Sequence, residues 1–293
     1  MSRPARRSFT LAVAAGKGGT GKTLLATSLA LALARADHGP VQIADCDVEE
    51  PNADLLLQPE VVRQVPVHVQ VPRIDQEACI ACGRCAQSCE FGALALIRCK
   101  VAFFPALCIG CGTCAFICPA EAIAEEAREV GSIAVGKVGE RLSFVQGRVH
   151  VGEQRVTPVL QALRRHLAPE GIRILDAPPG TACPMQETIA GSDYCLLVTE
   201  PTPFGRSDLG AAVETCRALD VPCGVVVNRA GVGDRSVYDY CEAEGLPLLM
   251  EIPWRRSIAE AYAGGSTLVD AGSGWSAALR SLCERVIQIA ERR

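Results

Sequence analysis

An apolar run of strand length, Phe9 to Ala15, leads into Gly16-Lys17-Gly18-Gly19-Thr20-Gly21-Lys22-Thr23, and a helix-forming stretch follows from Leu24 to about Ala36. This succession of strand, glycine loop and helix narrows the fold more than any other feature of the chain. The segment satisfies G-x4-G-K-[ST], the phosphate loop. Backbone N–H groups of such a loop turn inward and cradle phosphate oxygens. The helix N-terminus adds its positive field. On this pattern Lys22 reaches the β- and γ-phosphates and the Thr23 hydroxyl sits on Mg2+. A glycine-rich turn alone carries none of this. The lysine, the hydroxyl and the flanking strand and helix do.

Eight of the sixteen cysteines fall in two copies of one spacing. Cys79, Cys82, Cys85 and Cys89 form C-x2-C-x2-C-x3-C. Cys108, Cys111, Cys114 and Cys118 repeat it, and Pro119 closes the second copy. Structural zinc favours paired CxxC units or mixed Cys/His sets, which this register matches poorly. Disulfides need an oxidising compartment, and nothing in the chain points to export. The run resembles that of bacterial two-cluster ferredoxins, in which the fourth cysteine of each run ligates the other [4Fe–4S] cluster. The resemblance implies one cluster on Cys79, Cys82, Cys85 and Cys118, and a second on Cys108, Cys111, Cys114 and Cys89. One position departs from it: Glu90 stands where proline usually follows the last cysteine, which puts the turn after Cys89, but not the ligand spacing, in question.

Further strands end in functional residue types. Val41 to Ala44 runs into Asp45-Cys46-Asp47-Val48-Glu49-Glu50-Pro51-Asn52, and Ile172 to Leu175 into Asp176-Ala177-Pro178-Pro179-Gly180. Tyr194 to Val198 precedes Thr199-Glu200-Pro201, Gly224 to Val227 precedes Asn228-Arg229, and Leu248 to Ile252 precedes Pro253. Strands alternate with helical stretches, which predicts an α/β fold: a doubly wound, mostly parallel sheet with its ligand at the carboxyl strand ends.

Together with the early Lys17, these motifs resemble the MinD/ParA/Mrp and nitrogenase iron protein class of P-loop ATPases with a deviant phosphate loop, in the form that carries an inserted two-cluster ferredoxin. The resemblance covers essentially the whole chain. It implies that Lys17 crosses a dimer interface to the partner's nucleotide and that Asp47 orients or activates the attacking water. Asp45 then lies near the Mg2+ shell, Asp176 is the metal-side carboxylate of the second switch, and Gly180 meets the γ-phosphate. Asn228 reads the adenine edge beside Arg229, and the Pro253 loop lies along the base. ATP, Mg2+ and two [4Fe–4S] clusters are the implied cofactors.

Organisation follows from the break in the text. ATPase-like sequence occupies 1–72 and 121–293, the ferredoxin-like insert occupies 73–120, and an acidic stretch, Glu121 to Glu129, marks the return. A formal net charge of −4 disfavours nucleic acid or an anionic membrane as the main partner. No uninterrupted apolar stretch reaches membrane-spanning length. Arg3, Arg6 and Arg7 before an apolar run superficially resemble an export signal, but the run opens directly into the phosphate loop, so a reducing cytoplasm is expected. The last helical stretch, Trp275 to Arg293, has apolar residues at Leu279, Leu282, Val286 and Ile289/Ala290. Its polar face is weakly basic, so packing on the sheet is expected rather than membrane binding.

Of the remaining cysteines, Cys195, Cys216, Cys223, Cys241 and Cys283 read as small buried hydrophobes, and Cys99 as a structural residue on a hairpin. Cys183 lies just past the second switch, where a metal role and plain packing both stay open. Two functions compete: an ATP-gated redox protein serving a redox partner, and an ATP-dependent carrier delivering a cluster or metal to an apo-metalloprotein. Either works as a homodimer or as a heterodimer with a paralogue. A positioning ATPase fits the insert less well.

Overall fold

The computed structural model describes residues 8–36 and 39–292; Arg3, Arg6 and Arg7 lie outside them. In chain order the elements are β1 (Phe9–Ala14), α1 (Lys22–Arg35), β2 (Val41–Asp45), α2 (Ala53–Leu57), β3 (Glu60–Ile74), α3 (Arg84–Gln87), β4 (Leu94–Ile97), β5 (Lys100–Phe103), α4 (Thr113–Phe116), β6 (Ile123–Val138) and β7 (Leu142–Val149). They continue with α5 (Thr157–Arg164), β8 (Ile172–Asp176), α6 (Cys183–Ile189), β9 (Tyr194–Thr199), α7 (Pro203–Ala218), β10 (Cys223–Ala230), α8 (Ser236–Ala243), β11 (Leu248–Pro253), α9 (Arg256–Ala263), α10 (Leu268–Ala271) and α11 (Trp275–Glu291). The chain divides into two compact units. Unit one comprises Met1–Val65, Ile133–Arg148 and Leu160–Arg293; unit two comprises Pro66–Ser132 and Val149–Val159.

In unit one the sheet order is β11-β10-β9-β1-β8-β2-β7, continued by β6 and β3. β1 lies parallel between β8 and β9, and β2 lies parallel between β7 and β8. The central strands read as continuous apolar runs because helices cover both faces: every residue of β2 and β9 is buried. α1 is apolar nearly all round, with eleven of its fourteen residues buried, so it is an internal helix and not an amphipathic one. Leu25, Leu29 and Leu33 pack in one core with Leu279, Leu282 and Val286 of α11. The terminal helix is therefore a core element, as its weak basic face implied. Among the described residues no helix is long and apolar enough to cross a membrane.

Parallel order brings the carboxyl ends of β1, β2, β8 and β10 to one side, and the loops after them carry the motifs. The glycines of the phosphate loop have two distinct reasons. A Cβ on Gly16 would stand 2.2 Å from the Asp208 carbonyl of α7. Gly21 has φ 96°, and a Cβ there would meet the Asn228 amide at 2.4 Å. Neither position accepts a side chain without moving its neighbour.

Unit two carries the cysteine repeat, and the repeat is visible in its backbone. Ala81 and Gly110, Gly83 and Gly112, and Gly92 and Glu121 occupy matching places in the two copies, and all six have positive φ. Each copy turns through its glycine into a four-residue helix, α3 or α4. The apolar clusters of this unit are built on Cys85, Leu94, Val101 and Ile123, and on Val71, Ala93 and Cys108, with Cys79, Cys89, Cys114 and Cys118 packed against them. A core so dependent on thiols is poor in ordinary hydrophobes, the situation in which small units lean on metal or cross-links.

Two expectations need correction. The acidic stretch Glu121 to Glu129 does not mark the return to the first unit, which comes after Ser132: Ile123 onward is the first half of β6, with its glutamates on exposed positions. Cys99 lies on a hairpin as expected, but its exposure leaves its side chain no packing role. It is exposed in the tight turn between β4 and β5, where Arg98 and Cys99 both have positive φ. Cys195, Cys216, Cys241 and Cys283 are buried as expected, whereas Cys223 is only half-buried.

Candidate functional site

The loops after β1, β2, β8, β10 and β11 enclose a cavity of about 640 Å3, within the range of small-molecule sites. Gly18, Gly19, Gly21, Lys22, Thr23 and Asp47 line it, together with Asn228, Arg229, Pro253, Trp254 and Tyr262. The N-cap of α1 is Gly21, with no side chain capping the helix and no acidic residue in its first turn. Its end N–H groups and partial positive charge are left for an anion. Lys22 is buried, and burial pulls its pKa down while the charges of Asp176, Asp47 and Asp45 push it back up.

The two strand-end carboxylates play different parts. Asp45 folds the loop after β2: its Oδ1 accepts from the Asp47 N–H at 3.1 Å, and its Oδ2 from the Asn52 and Ala53 N–H groups at 3.0 Å each. Gln146 of β7 adds a fourth donor at 3.1 Å. Asp176 is fully buried, and neither carboxylate oxygen has a hydrogen bond of ordinary geometry. Its pKa is pushed well up, first by burial and then by the Asp45 charge; Thr23 and Lys22 pull partly the other way. An orphaned buried carboxylate beside a hydroxyl offers oxygen ligands suited to a hard divalent cation, while the Lys22 ammonium is placed for an anion. Asp47 is also raised, by burial, against the pull of Lys22.

Asp176→Asn keeps the shape and removes the charge. A carboxyl whose folded pKa is raised binds its proton more tightly in the folded state. Its stability contribution is full at acid pH and is lost as pH rises from about 4 through the folded value. At neutral pH, thermal melts of the nucleotide-free variant should therefore lie above wild type, by about 2–4 °C for each kcal/mol of charge burial relieved. The same variant should lose Mg2+-dependent nucleotide binding. An equal or lower melting temperature would contradict this account of Asp176.

Lys17 is held within its own chain. Its Nζ lies 3.9 Å from Glu200 Oε2 and 4.0 Å from Asp208 Oδ2, at one-third exposure. Pairs this long and this exposed are weak, about 0–1 kcal/mol. Glu200 also binds Arg229 Nη1 at 2.7 Å. Asn228 donates to the Thr20 carbonyl at 2.8 Å and so ties β10 to the phosphate loop. Gly180 follows β8 with φ 90° and donates to the Ala15 carbonyl.

Several residues here were not singled out in the sequence. Trp254, exposed at 56%, and Tyr262 supply aromatic surface to the same cavity; a tryptophan directly after a strand-end proline was the available signal. Gln146 lies 101 residues from its partner Asp45 and had none.

In unit two the eight cysteines divide between two cavities. Cys89 lines the larger, about 420 Å3, with Cys108, Cys111 and Cys114, and Cys85 reaches its wall. Cys118 lines the smaller, about 20 Å3, with Cys79, Cys82 and Cys85. The fourth cysteine of each copy thus stands with the first three of the other. Backbone N–H groups point at the sulfurs: Ala93 at Cys89 Sγ (3.3 Å), Ala122 at Cys118 Sγ (3.4 Å) and Gly110 at Cys108 Sγ (3.4 Å). The first two repeat at the same offset. Among the described residues no three side chains converge tightly enough to hold a single metal ion; the thiols stand around cavities instead. Cys183, at the start of α6, is exposed.

Two uncharacterized proteins of Methanocaldococcus jannaschii are each 29% identical to this chain. One aligns over 279 residues, 94% of this chain and 95% of its own length; the other over 265 residues, 88% and 91%. Among solved structures, the fold is similar to the septum site-determining protein MinD complexed with Mg-ADP from Pyrococcus horikoshii (TM-score 0.57, 18% identity, 97% of each chain). It is also similar to a ParA family ATPase from Chlorobium tepidum (TM-score 0.53, 15% identity, 97% of this chain and 99% of that one). The model of the CobQ/CobB/MinD/ParA nucleotide-binding domain matches residues 11–269. That match spans most of the chain, and with the glycine loop after β1 and the parallel sheet in place the chain belongs to that family of nucleotide-binding domains.

Proposed function

We propose that this protein binds and hydrolyses ATP with Mg2+ and couples that cycle to electron transfer through two [4Fe–4S] clusters. The observation that carries the redox half is the division of the eight cysteines, in which Cys89 and Cys118 each side with the other copy's run. That division suits crossed ligation: Cys79, Cys82, Cys85 and Cys118 for one cluster, and Cys108, Cys111, Cys114 and Cys89 for the other. A cubane has bulk of its own, so its thiolates surround it rather than meet at a point. Each cluster, when bound, takes up and releases one electron. The N–H groups aimed at sulfur favour the added charge. We place the cluster ligands of the ferredoxin module within 73–120; the compact unit around them takes in Pro66–Ser132 and Val149–Val159, and the ATPase is the other unit.

On the nucleotide side, Gly16 to Gly21 wrap the phosphates, Lys22 neutralises them, and Thr23 and Asp176 hold the metal. Asp47 positions the attacking water. Asn228, Arg229 and Pro253 frame the base, with Trp254 beside them. Closure brings two chains face to face, and Lys17 leaves its weak contacts with Glu200 and Asp208 to reach the partner's phosphates. The partner is a second copy or a paralogue; one archaeon carrying two relatives of equal identity suits the paralogous case. Sixteen cysteines, none in a disulfide, suit the cytoplasm.

Asp47→Ala tests the cycle. Anaerobic sizing chromatography with ATP and Mg2+ should give a dimer that decays in the wild type and persists in the variant. A monomer under all conditions would sink the dimer switch. The carrier reading keeps one support, the exposed Cys183 beside the second switch.

A further inference from the structure

Residues 149–159 belong to unit two, and they bring a charge to one cysteine run. The side chain of Arg155 is 9% exposed and that of Glu153 3%. Arg155 grips Glu153 in a fork, Nε to Oε1 at 2.7 Å and Nη2 to Oε2 at 2.8 Å. Its third arm, Nη1, donates to the carbonyl of Cys108 at 2.9 Å. Arg128 Nη2 lies 3.4 Å from the same Glu153. Glu153 is held down to about 2, first by its hydrogen bond from Arg155, so it stays ionised. Two positive charges and one negative leave the group with one positive charge. Glu90 and Glu125 are the anions on the wall of the adjoining cysteine cavity.

A buried ion pair is a poor stabilising device, because desolvation cancels most of its attraction. Its placement against a cysteine carbonyl therefore asks for another account. Resting on the cluster reading above, we propose that Arg155 sets the reduction potential of the site formed by Cys108, Cys111, Cys114 and Cys89. Reduction adds one electron to that site from an external donor, and no bond is made or broken. A fixed guanidinium within a hydrogen bond of a ligand residue stabilises the extra negative charge, raises the potential, and offsets Glu90 and Glu125. Arg155 acts through Cys108 and is a positioning residue.

The test is an anaerobic potentiometric titration of the full chain, with dithionite and mediators, read by EPR. Wild type, Arg155→Gln, Arg155→Lys and Glu153→Gln are compared. Loss of one signal in Cys82→Ser and of the other in Cys111→Ser identifies the two sites. At the wild-type midpoint, Arg155→Gln should lower the reduced-to-oxidised ratio of the Cys111 site about tenfold, which is 59 mV for one electron. Glu153→Gln should shift it the opposite way. Arg155→Lys should stay nearer wild type, and the Cys82 site should move less than the Cys111 site in every variant. A purely structural pair would not produce shifts of opposite sign. Normal iron content with shifts of the same sign, or none, overturns the role of Arg155 alone. If Arg155→Gln does not fold, an unmoved or lowered midpoint in Glu153→Gln decides against the proposal. A wild-type protein without iron overturns both this inference and the cluster reading.

Discussion

Lys22→Ala should abolish measurable ATP binding at ordinary concentrations. Lys22 is buried at the first turn of α1, among Asp176, Asp47 and Asp45. Removing it costs the phosphates their charge partner and leaves three carboxylates facing them. Truncating one member of a buried, hydrogen-bonded charge pair costs about 2–5 kcal/mol, roughly 30- to 5,000-fold in affinity. Isothermal titration with ATP and Mg2+ reads this directly. Lys17→Ala, by contrast, should leave binding by the single chain near wild type and lower turnover, because its contacts within the chain are long and exposed. Normal affinity in Lys22→Ala would remove the phosphate-loop assignment. Normal turnover in Lys17→Ala would remove the trans-acting lysine.

Purified without oxygen, the wild type should carry about eight iron and eight sulfide per chain, as two cubanes require. Crossed ligation makes a sharper demand on the variants. Cys89→Ser should disturb the same EPR signal as Cys111→Ser, although Cys89 lies in the first run. Cys118→Ser should pair with Cys82→Ser. Because four of the cysteines pack directly against the small apolar cluster of Cys85, Leu94, Val101 and Ile123, chelation of iron should also unfold unit two. A value near four iron, or zinc in place of iron, would contradict the two-cluster assignment.

The sequence made the parallel sheet legible because buried parallel strands are continuous apolar runs with glycine, aspartate or proline at their carboxyl ends. β1, β2, β8, β9 and β10 come near that form, whereas β11, at one edge of the sheet, is only partly buried and carries an exposed Glu251. The sequence hid β3. Val65, Val67, Val69 and Val71 alternate with polar residues and proline, a strand pattern, but Pro66 and Pro72 interrupt it. Proline is tolerated at sheet edges, and β3 is the last strand of its sheet. The glutamates of β6 concealed that strand in the same way, being exposed side chains on a regular backbone. At the site, motif residues were legible because phosphate and metal binding demand fixed local spacing. The division of labour between Asp45 and Asp176 was not. It depends on which carboxylate the loop N–H groups and Gln146 satisfy, and those partners meet only in the folded chain. The contact of Arg155 with Cys108 spans 47 residues and was equally silent.

Gln146 of β7 donates to Asp45 in the loop after β2, and the chain runs from β7 within a few residues to Glu153 and Arg155. A one-electron potential shift of about 100 mV corresponds to roughly 2.3 kcal/mol, within the roughly 1–3 kcal/mol of ordinary allosteric coupling. Coupling of that kind is reciprocal for binding free energies. The direct measurement is therefore the ATP affinity of the oxidised protein against that of the dithionite-reduced protein, under Mg2+ and without oxygen. Nucleotide-gated electron transfer predicts affinities that differ about fivefold or more, with cluster midpoints that shift by the equivalent amount when ATP is added. Equal affinities together with unmoved midpoints would contradict it, leaving the nucleotide site and the clusters joined only by the chain.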